Sequence, residues 1–226
     1  EQMVGNSLPD PWTGDTGQPT LPWRGRITTS LAPEQAGSVD GSAAAEAEVA
    51  AFMGSAAVSD FSVQDGVVSY SGPSEWRYRR FILHYAHLCA AAGGVAGFCI
   101  GSEMRGLTQI RGAGGSFPAV AALKTIAAEV RAILGPDCKI GYAADWSEYH
   151  GYQPVGTADK LFHLDPLWAD TNIDFIGIDN YMPLSDWRDG VGHADAGAGA
   201  IYNLEYLRSN VAGGEGFDWY YHSPEA

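Results

Sequence analysis

The chain has 226 residues, 46% apolar, 18% charged and 12% aromatic, which leaves room for one domain of α/β-barrel or doubly wound type, or at most two small ones, and excludes a disordered tail, a collagen-like rod or a disulfide-dense miniprotein. Its 27 Asp and Glu against 13 Lys and Arg give a net charge of −14; with no local basic patch to offset it, nucleic acid is not an expected partner. No apolar run nears the ~18 residues of a membrane span, and the start lacks the basic and apolar stretches of a signal peptide, so no membrane association is expected.

Residues 1–25 are rich in Pro, Gly, Asp and Thr and carry neither a 2-residue nor a 3.6-residue period, which predicts a long irregular loop. Residues 26–30 (Arg-Ile-Thr-Thr-Ser) read as a short strand. The Ala-rich run from Ser42 to Met53 predicts a helix, with Asp40 as its N-cap. Val67-Val68-Ser69-Tyr70, closed by Gly72-Pro73, is a second short strand. From Ser74 onward, Tyr78, Phe81, Ile82, Tyr85, Leu88 and Cys89 share a helical spacing, and this helix stops at Gly93-Gly94. Residues 95–101 are then an unbroken apolar run, the pattern of a parallel strand buried on both faces, and lead directly into Ser102-Glu103-Met104-Arg105. The cycle repeats. Val120, Leu123, Ala127, Val130 and Leu134 mark a helix ending at Gly135-Pro136, and the strand at residues 139–144 runs into Asp145-Trp146. A third strand, residues 173–178, runs into Asp179-Asn180-Tyr181, and a helix is predicted from Tyr202 to Val211.

Helix and strand in alternation, with polar residues collected past the strand ends, define a parallel α/β protein whose site lies on the C-terminal face. A (β/α) TIM-barrel-like fold is favoured over an open sheet, because no Gly-x-Gly-x-x-Gly follows a strand and no Gly-x-x-x-x-Gly-Lys-Ser/Thr occurs. Three strong strands, two weak ones and 47 residues after Asp179 fall short of an eight-unit barrel of about 250 residues. The expected organisation is an irregular segment at 1–25 and a partial barrel at 26–226, its last strands and its first one missing. The chain starts at Glu1 rather than Met and is read as a piece of something longer.

Glu103 is the leading catalytic candidate. It follows a buried strand, where a rigid sheet holds it and an apolar floor can raise its pKa as a general acid requires; it could equally pair with Arg105 or cap the next turn. Asp145, Asp179 and Asn180 hold equivalent positions, suited to a sugar hydroxyl, a water or the orientation of Glu103, and suited also to N-capping. Trp146, Tyr181, Trp187 and Trp219 offer flat rings for the C–H faces of a sugar, or fillers between helices. His84-x-x-His87 has no third ligand at a fixed spacing, so no metal is expected. No Gly-x-Ser-x-Gly elbow is present, and no cofactor is implied. Cys89, Cys99 and Cys138 are odd in number, lack a Cys-x-x-Cys spacing and read as small buried hydrophobes.

Five stretches carry a family resemblance: Trp76-Arg77-Tyr78-Arg79-Arg80-Phe81-Ile82-Leu83-His84-Tyr85, Ile100-Gly101-Ser102-Glu103-Met104-Arg105-Gly106-Leu107, Tyr142-Ala143-Ala144-Asp145-Trp146-Ser147-Glu148-Tyr149, Ile173-Asp174-Phe175-Ile176-Gly177-Ile178-Asp179-Asn180-Tyr181-Met182-Pro183-Leu184 and Gly213-Gly214-Glu215-Gly216-Phe217-Asp218-Trp219-Tyr220-Tyr221. From about Trp23 to its last residue the chain resembles the TIM-barrel-like domain of gene transfer agent and phage tail host-specificity proteins. That domain is similar to clan A glycoside hydrolases, whose acid/base Glu ends the fourth strand and whose nucleophile Glu ends the seventh. The resemblance makes Glu103 the first of these, makes residues 179–184 the close of the sixth strand, and puts the second carboxylate beyond Ala226. Glu215 is the one substitute in the chain, but it lies in a Gly-rich loop. Retaining hydrolysis needs two carboxyl groups roughly 5 to 5.5 Å apart, so this chain alone is expected to bind or strain a glycan without turning it over.

The implied function is hydrolysis of cell-envelope polysaccharide or peptidoglycan. Glu103 would be the general acid/base, with Asp145, Trp146, Asp179, Asn180, Tyr181 and Trp187 at the substrate. A non-catalytic glycan-binding or structural tail-tip module is the alternative. The implied partners are a cell-surface glycan and other tail or baseplate proteins, in a particle assembled in the cytoplasm and acting outside the cell.

Overall fold

The computed structural model describes residues 6–19, 23–181, 184–185 and 187–213, and the chain divides at Asp179 into two compact units. The first unit opens with β1 (Asn6–Pro9) and β2 (Thr16–Gln18), which pair antiparallel. The segment expected to be irregular therefore contains an ordered hairpin. Buried Asp10 organises it, accepting from the Trp12 amide at 2.8 Å and holding the Arg26 guanidinium with both oxygens at 2.9 and 2.7 Å. The strand expected at residues 26–30 does not form. A single 3-10 turn (Arg24–Arg26) stands at its start, because the Arg26 carbonyl is taken by the Trp12 indole at 2.8 Å and is not free for a sheet ladder.

In α1 (Ala43–Met53) the buried positions Ala45, Val49 and Met53 recur every four residues and form one stripe. Its N-cap is Ser42, whose hydroxyl accepts from the Ala44 amide at 3.2 Å. Asp40, the expected cap, instead clamps Arg111 through three bonds of 2.6 to 2.9 Å. The strand at Val67–Tyr70 does form, as β4, but it pairs antiparallel with β3 (Phe61–Gln64) and stands outside the parallel sheet. The two-residue connection Asp65-Gly66 has φ of 52° and 76°, the left-handed pair that matches the twist of a tight hairpin.

The remaining elements are α2 (Tyr78–Ala91), β5 (Gly97–Ser102), α3 (Arg105–Thr108), α4 (Pro118–Leu134), β6 (Lys139–Asp145), α5 (Asp165–Trp168) and β7 (Phe175–Asp179). Pro118 presets the first turn of α4 and Gly135, at φ 79°, ends it. Strands β5, β6 and β7 form a parallel sheet in that order. Ile100, Ile140, Tyr142 and Ala144 share a core with Ile82 and Ala86 of α2 and Leu123, Ile126 and Val130 of α4. The other pleat is lined by small residues: a Cβ on Gly141 would lie 2.5 Å from the Phe175 ring, so the bare backbone is what admits that ring.

Among the described residues the parallel sheet has three strands and does not close into a barrel; the expectation corrected here is burial of the strands on both faces. Its edge strands are not buried on both faces: Cys99 on β5 is exposed, and Ile176 and Ile178 on β7 are 55% and 42% exposed. Only central β6, with a neighbour on each side, is buried along most of its length. On α2 the buried stripe runs through Ile82, Leu83 and Ala86, while Phe81 and Tyr85 lie on the solvent side and contact each other at 5.0 Å.

The second unit, Asn180–Ala226, contains a 3-10 turn (Ala194–Ala198) and α6 (Leu204–Gly213). The helix expected from Tyr202 starts two residues later because Asn203 acts as a cap, its side-chain oxygen accepting from the amides of Glu205 and Tyr206 at 3.0 and 3.2 Å.

Candidate functional site

Where β5 ends, its register with β6 slips: Cys99 faces Gly141, yet Ser102 faces Ala143. Three steps along β5 thus match two along β6, a bulge that re-aims the side chains after it. Gly101 permits this, since a Cβ there would sit 2.6 Å from the Tyr78 hydroxyl oxygen and 2.7 Å from Met104 Cε. The Ser102 hydroxyl consequently donates to Asp179 Oδ2 at 2.7 Å, crossing from β5 to the end of β7. Glu103 then turns the chain at φ 51°, a left-handed conformation rare for a residue with a long side chain. Its amide donates to the Ala143 carbonyl at 2.8 Å.

Glu103 is 5% exposed and its carboxylate is occupied. Oε2 accepts from the Trp23 indole at 2.8 Å and pairs with the Arg24 guanidinium at 3.0 Å. Arg24 also donates from Nε to the Ser102 carbonyl at 2.9 Å and from NH2 to the Ser102 hydroxyl at 3.2 Å. The arginine partner is thus neither Arg105 nor any neighbour in sequence; it arrives from the N-terminal segment. One continuous chain of polar contacts runs from Trp23 through Glu103, Arg24 and Ser102 to Asp179.

Asp145 is likewise engaged. Oδ1 accepts from the Ser147 amide at 2.9 Å and from the Ser147 hydroxyl, closing the turn after β6, and the capping option open in the sequence is the contact it makes. Trp146 is partly exposed and its amide donates to the Asp179 carbonyl at 3.2 Å. Asn180, Tyr181 and Trp187 fall in the second unit. Tyr181 is exposed there, and Trp187 packs edge-on to His193 and Tyr206, with centroids 4.6 and 6.1 Å apart. Glu215 and Trp219 lie outside the described residues.

One acidic group was not assigned a role from sequence. Glu148 is fully buried; Oε1 accepts from the Thr108 hydroxyl at 2.6 Å and from the Tyr142 hydroxyl at 2.9 Å, and Oε2 accepts from the Asp145 amide at 3.1 Å. Burial pushes its pKa up to about 7, against the pull of those three donors. Tyr142 in turn accepts from the Met104 amide at 2.9 Å, so the carboxyl ties the loop after β5 to the loop after β6. The signal was in the sequence: an Asp followed three residues later by a Glu is a capping-box pattern, in which the second side chain reaches back to the first amide.

The same two loops, with the N-terminal segment, wall a groove of about 290 Å³. Arg105 and Gln109 come from the β5 side, Ser147, His150 and Tyr152 from the β6 side, and Trp12 from the N-terminal segment. Neither Glu103 nor any of the six residues expected at the substrate lines it. Among the described residues no group of three or more His, Cys, Asp or Glu is placed to hold a metal ion, and His84 and His87 pack instead around the Phe61 ring.

Parallel strands separated by helices, with polar side chains and a groove gathered past their C-terminal ends, define a protein of the parallel α/β class. The chain belongs to the GTA TIM-barrel-like domain family, a domain of gene transfer agents, whose family model matches residues 76–226. That match begins at Trp76, so Trp23 and Arg24 lie outside it. No curated protein sequence matches the chain. Among the described residues no helix is long and apolar enough to cross a membrane.

Proposed function

We propose that this chain is a glycan-engaging domain of a phage-tail-like gene transfer agent particle. It holds cell-envelope polysaccharide or peptidoglycan at the loops after β5 and β6 and does not cleave it with its own residues. In this reading the domain sits among other tail or baseplate proteins and meets the glycan outside the cell. One observation carries it: the carboxylates at all three strand ends are already engaged within the fold, Glu103 by Trp23 and Arg24, Asp145 by Ser147, and Asp179 by Ser102. A general acid must present a proton to a leaving oxygen, and one of the two Glu103 carboxylate oxygens, Oε2, already accepts from a guanidinium and an indole.

Hydrolysis with Glu103 as general acid/base is the second reading. The left-handed backbone of Glu103 at a strand end favours it, because such strain persists where the surrounding fold over-determines it and clusters at functional sites. In that reading Arg24 withdraws when substrate enters, and Asp145, Trp146 and Asp179 border the reacting sugar.

The protein is incubated with purified envelope fractions, scoring glycan retained and reducing ends released, with wild type and Glu103→Gln side by side. Retention without new reducing ends is the expected result. Reducing ends released by wild type and lost in Glu103→Gln would overturn the binding-only reading in favour of hydrolysis, and no retention by either protein would overturn both.

A further inference from the structure

Charge is unevenly satisfied in this acidic protein. Among the described residues eight Lys and Arg side chains pair with a carboxylate. Arg105 and Lys160 have no carboxylate partner among them, and both line the groove described above. Lys160 is brought there by a bridge between Tyr152 and Leu161, with reciprocal amide-to-carbonyl bonds of 2.8 and 2.7 Å, which folds the loop back on itself. Gly151, at φ 103°, makes room; a Cβ there would meet the Leu161 carbonyl at 2.9 Å and Lys160 Cε at 3.2 Å. Lys160 Nζ then sits 2.8 Å from His150 Nδ1, so three basic side chains face one space.

Other observations bear on what fills it. Tyr152 is 7% exposed, lines the groove, and has a hydroxyl with no hydrogen-bond partner among the described residues. Glu34 is the one carboxylate in the lining, and its Oε1 accepts from the Val155 amide at 3.1 Å, which latches the N-terminal segment to the opposite wall. Counting Arg105, Lys160 and Glu34, the groove carries one net positive charge inside a chain of net charge −14. Such a local reversal concentrates anions at that point alone.

We propose that this groove is a subsite for the carboxylate of an acidic sugar, with Arg105 and Lys160 as its anion-binding pair. A guanidinium presents a planar fork that matches a carboxylate, and a single net charge suits a monoanion better than a phosphate dianion. The Trp12 indole and the hydroxyl and amide groups of Ser147 and Gln109 supply the apolar face and the polar partners that a sugar ring takes. The proposal rests on the glycan reading above and narrows it to uronic-acid-type units.

The test titrates the chain calorimetrically with a galacturonate tetrasaccharide, with its carboxyl-reduced counterpart and with inorganic phosphate, for wild type, Arg105→Gln and Lys160→Gln, each checked for native circular dichroism. The galacturonate should bind about tenfold or more tighter than the reduced sugar, as loss of a charge-assisted hydrogen bond implies, and this preference should vanish in Arg105→Gln, shrink in Lys160→Gln and weaken with salt. Equal affinity for the two sugars, or a preference that survives both substitutions, overturns the subsite while envelope-glycan retention still stands. Phosphate binding that depends on Arg105, without galacturonate binding, overturns it in favour of a phosphate ligand. Failure of every sugar here together with no retention of envelope glycan would overturn both readings.

Discussion

Raising the pH from 4.5 to 7 should weaken this fold through one side chain, Glu148. In the folded protein burial holds its proton until about pH 7, whereas the ordinary value for a glutamate is 4.5. Between those limits the folded state binds more protons than the unfolded chain. The stability this carboxyl contributes is therefore complete below about 4.5 and is lost as pH rises towards 7. At about 1.4 kcal/mol per pH unit the loss is on the order of 3 kcal/mol, a large share of the roughly 5–15 kcal/mol that holds a domain folded. His163, pushed down to about 4 by burial, acts in the opposite sense across much of the same window, and Asp170 and Asp174, held below their ordinary range, do so at lower pH, so the effect is read against Glu148→Gln. That variant keeps an amide oxygen for Thr108 and Tyr142 but cannot titrate. Urea unfolding of both proteins at pH 4.5, 5.5 and 7 should show the stability difference, wild type minus variant, falling by about 3 kcal/mol across the range. A difference that stays constant would refute the argument that burial of this carboxyl sets its proton affinity.

Two further substitutions test the geometry around Glu103. Arg24→Ala removes the guanidinium, leaving a carboxylate that is 7% exposed with the Trp23 indole as its remaining donor there. The expected loss is about 1–3 kcal/mol in urea unfolding at pH 7, towards the lower end because Arg24 is itself 51% exposed; wild-type stability would show that the clamp does not hold in solution. Gly101→Ala drives a methyl group against Tyr78 and Met104 at 2.6 and 2.7 Å and should cost about 1–3 kcal/mol through overpacking, visible as a lowered melting temperature. An unchanged melting point would mean that the bulge has more room than the packing shows.

Local pattern accounts for what could be read directly. The α4 helix was announced by its apolar spacing and its glycine stop, and β5, β6 and β7 by apolar runs that end in polar residues, because period and punctuation are properties of a few consecutive residues. Two more signals are local. Asp65-Gly66 between two short β-branched runs marks a hairpin, and Asp145-Trp146-Ser147-Glu148 is a capping-box pattern. Asp40 and Phe81 show where local pattern stops deciding. Both sit at positions where local rules permit a cap or a core residue, yet Asp40 found Arg111, 71 positions away, and Phe81 found the solvent side of α2, where it is 56% exposed.

The amino-acid order by itself set the alternation of helix and strand, placed Glu103, Asp145 and Asp179 at strand ends, and carried the family resemblance. Only the tertiary structure decided what those carboxylates do. Trp23 and Arg24 lie 80 and 79 positions before Glu103 and come from a segment without periodicity; the pairing depends on where folding brings distant backbone together. A side chain's charge is written locally, whereas the partner that satisfies it is chosen by three-dimensional proximity.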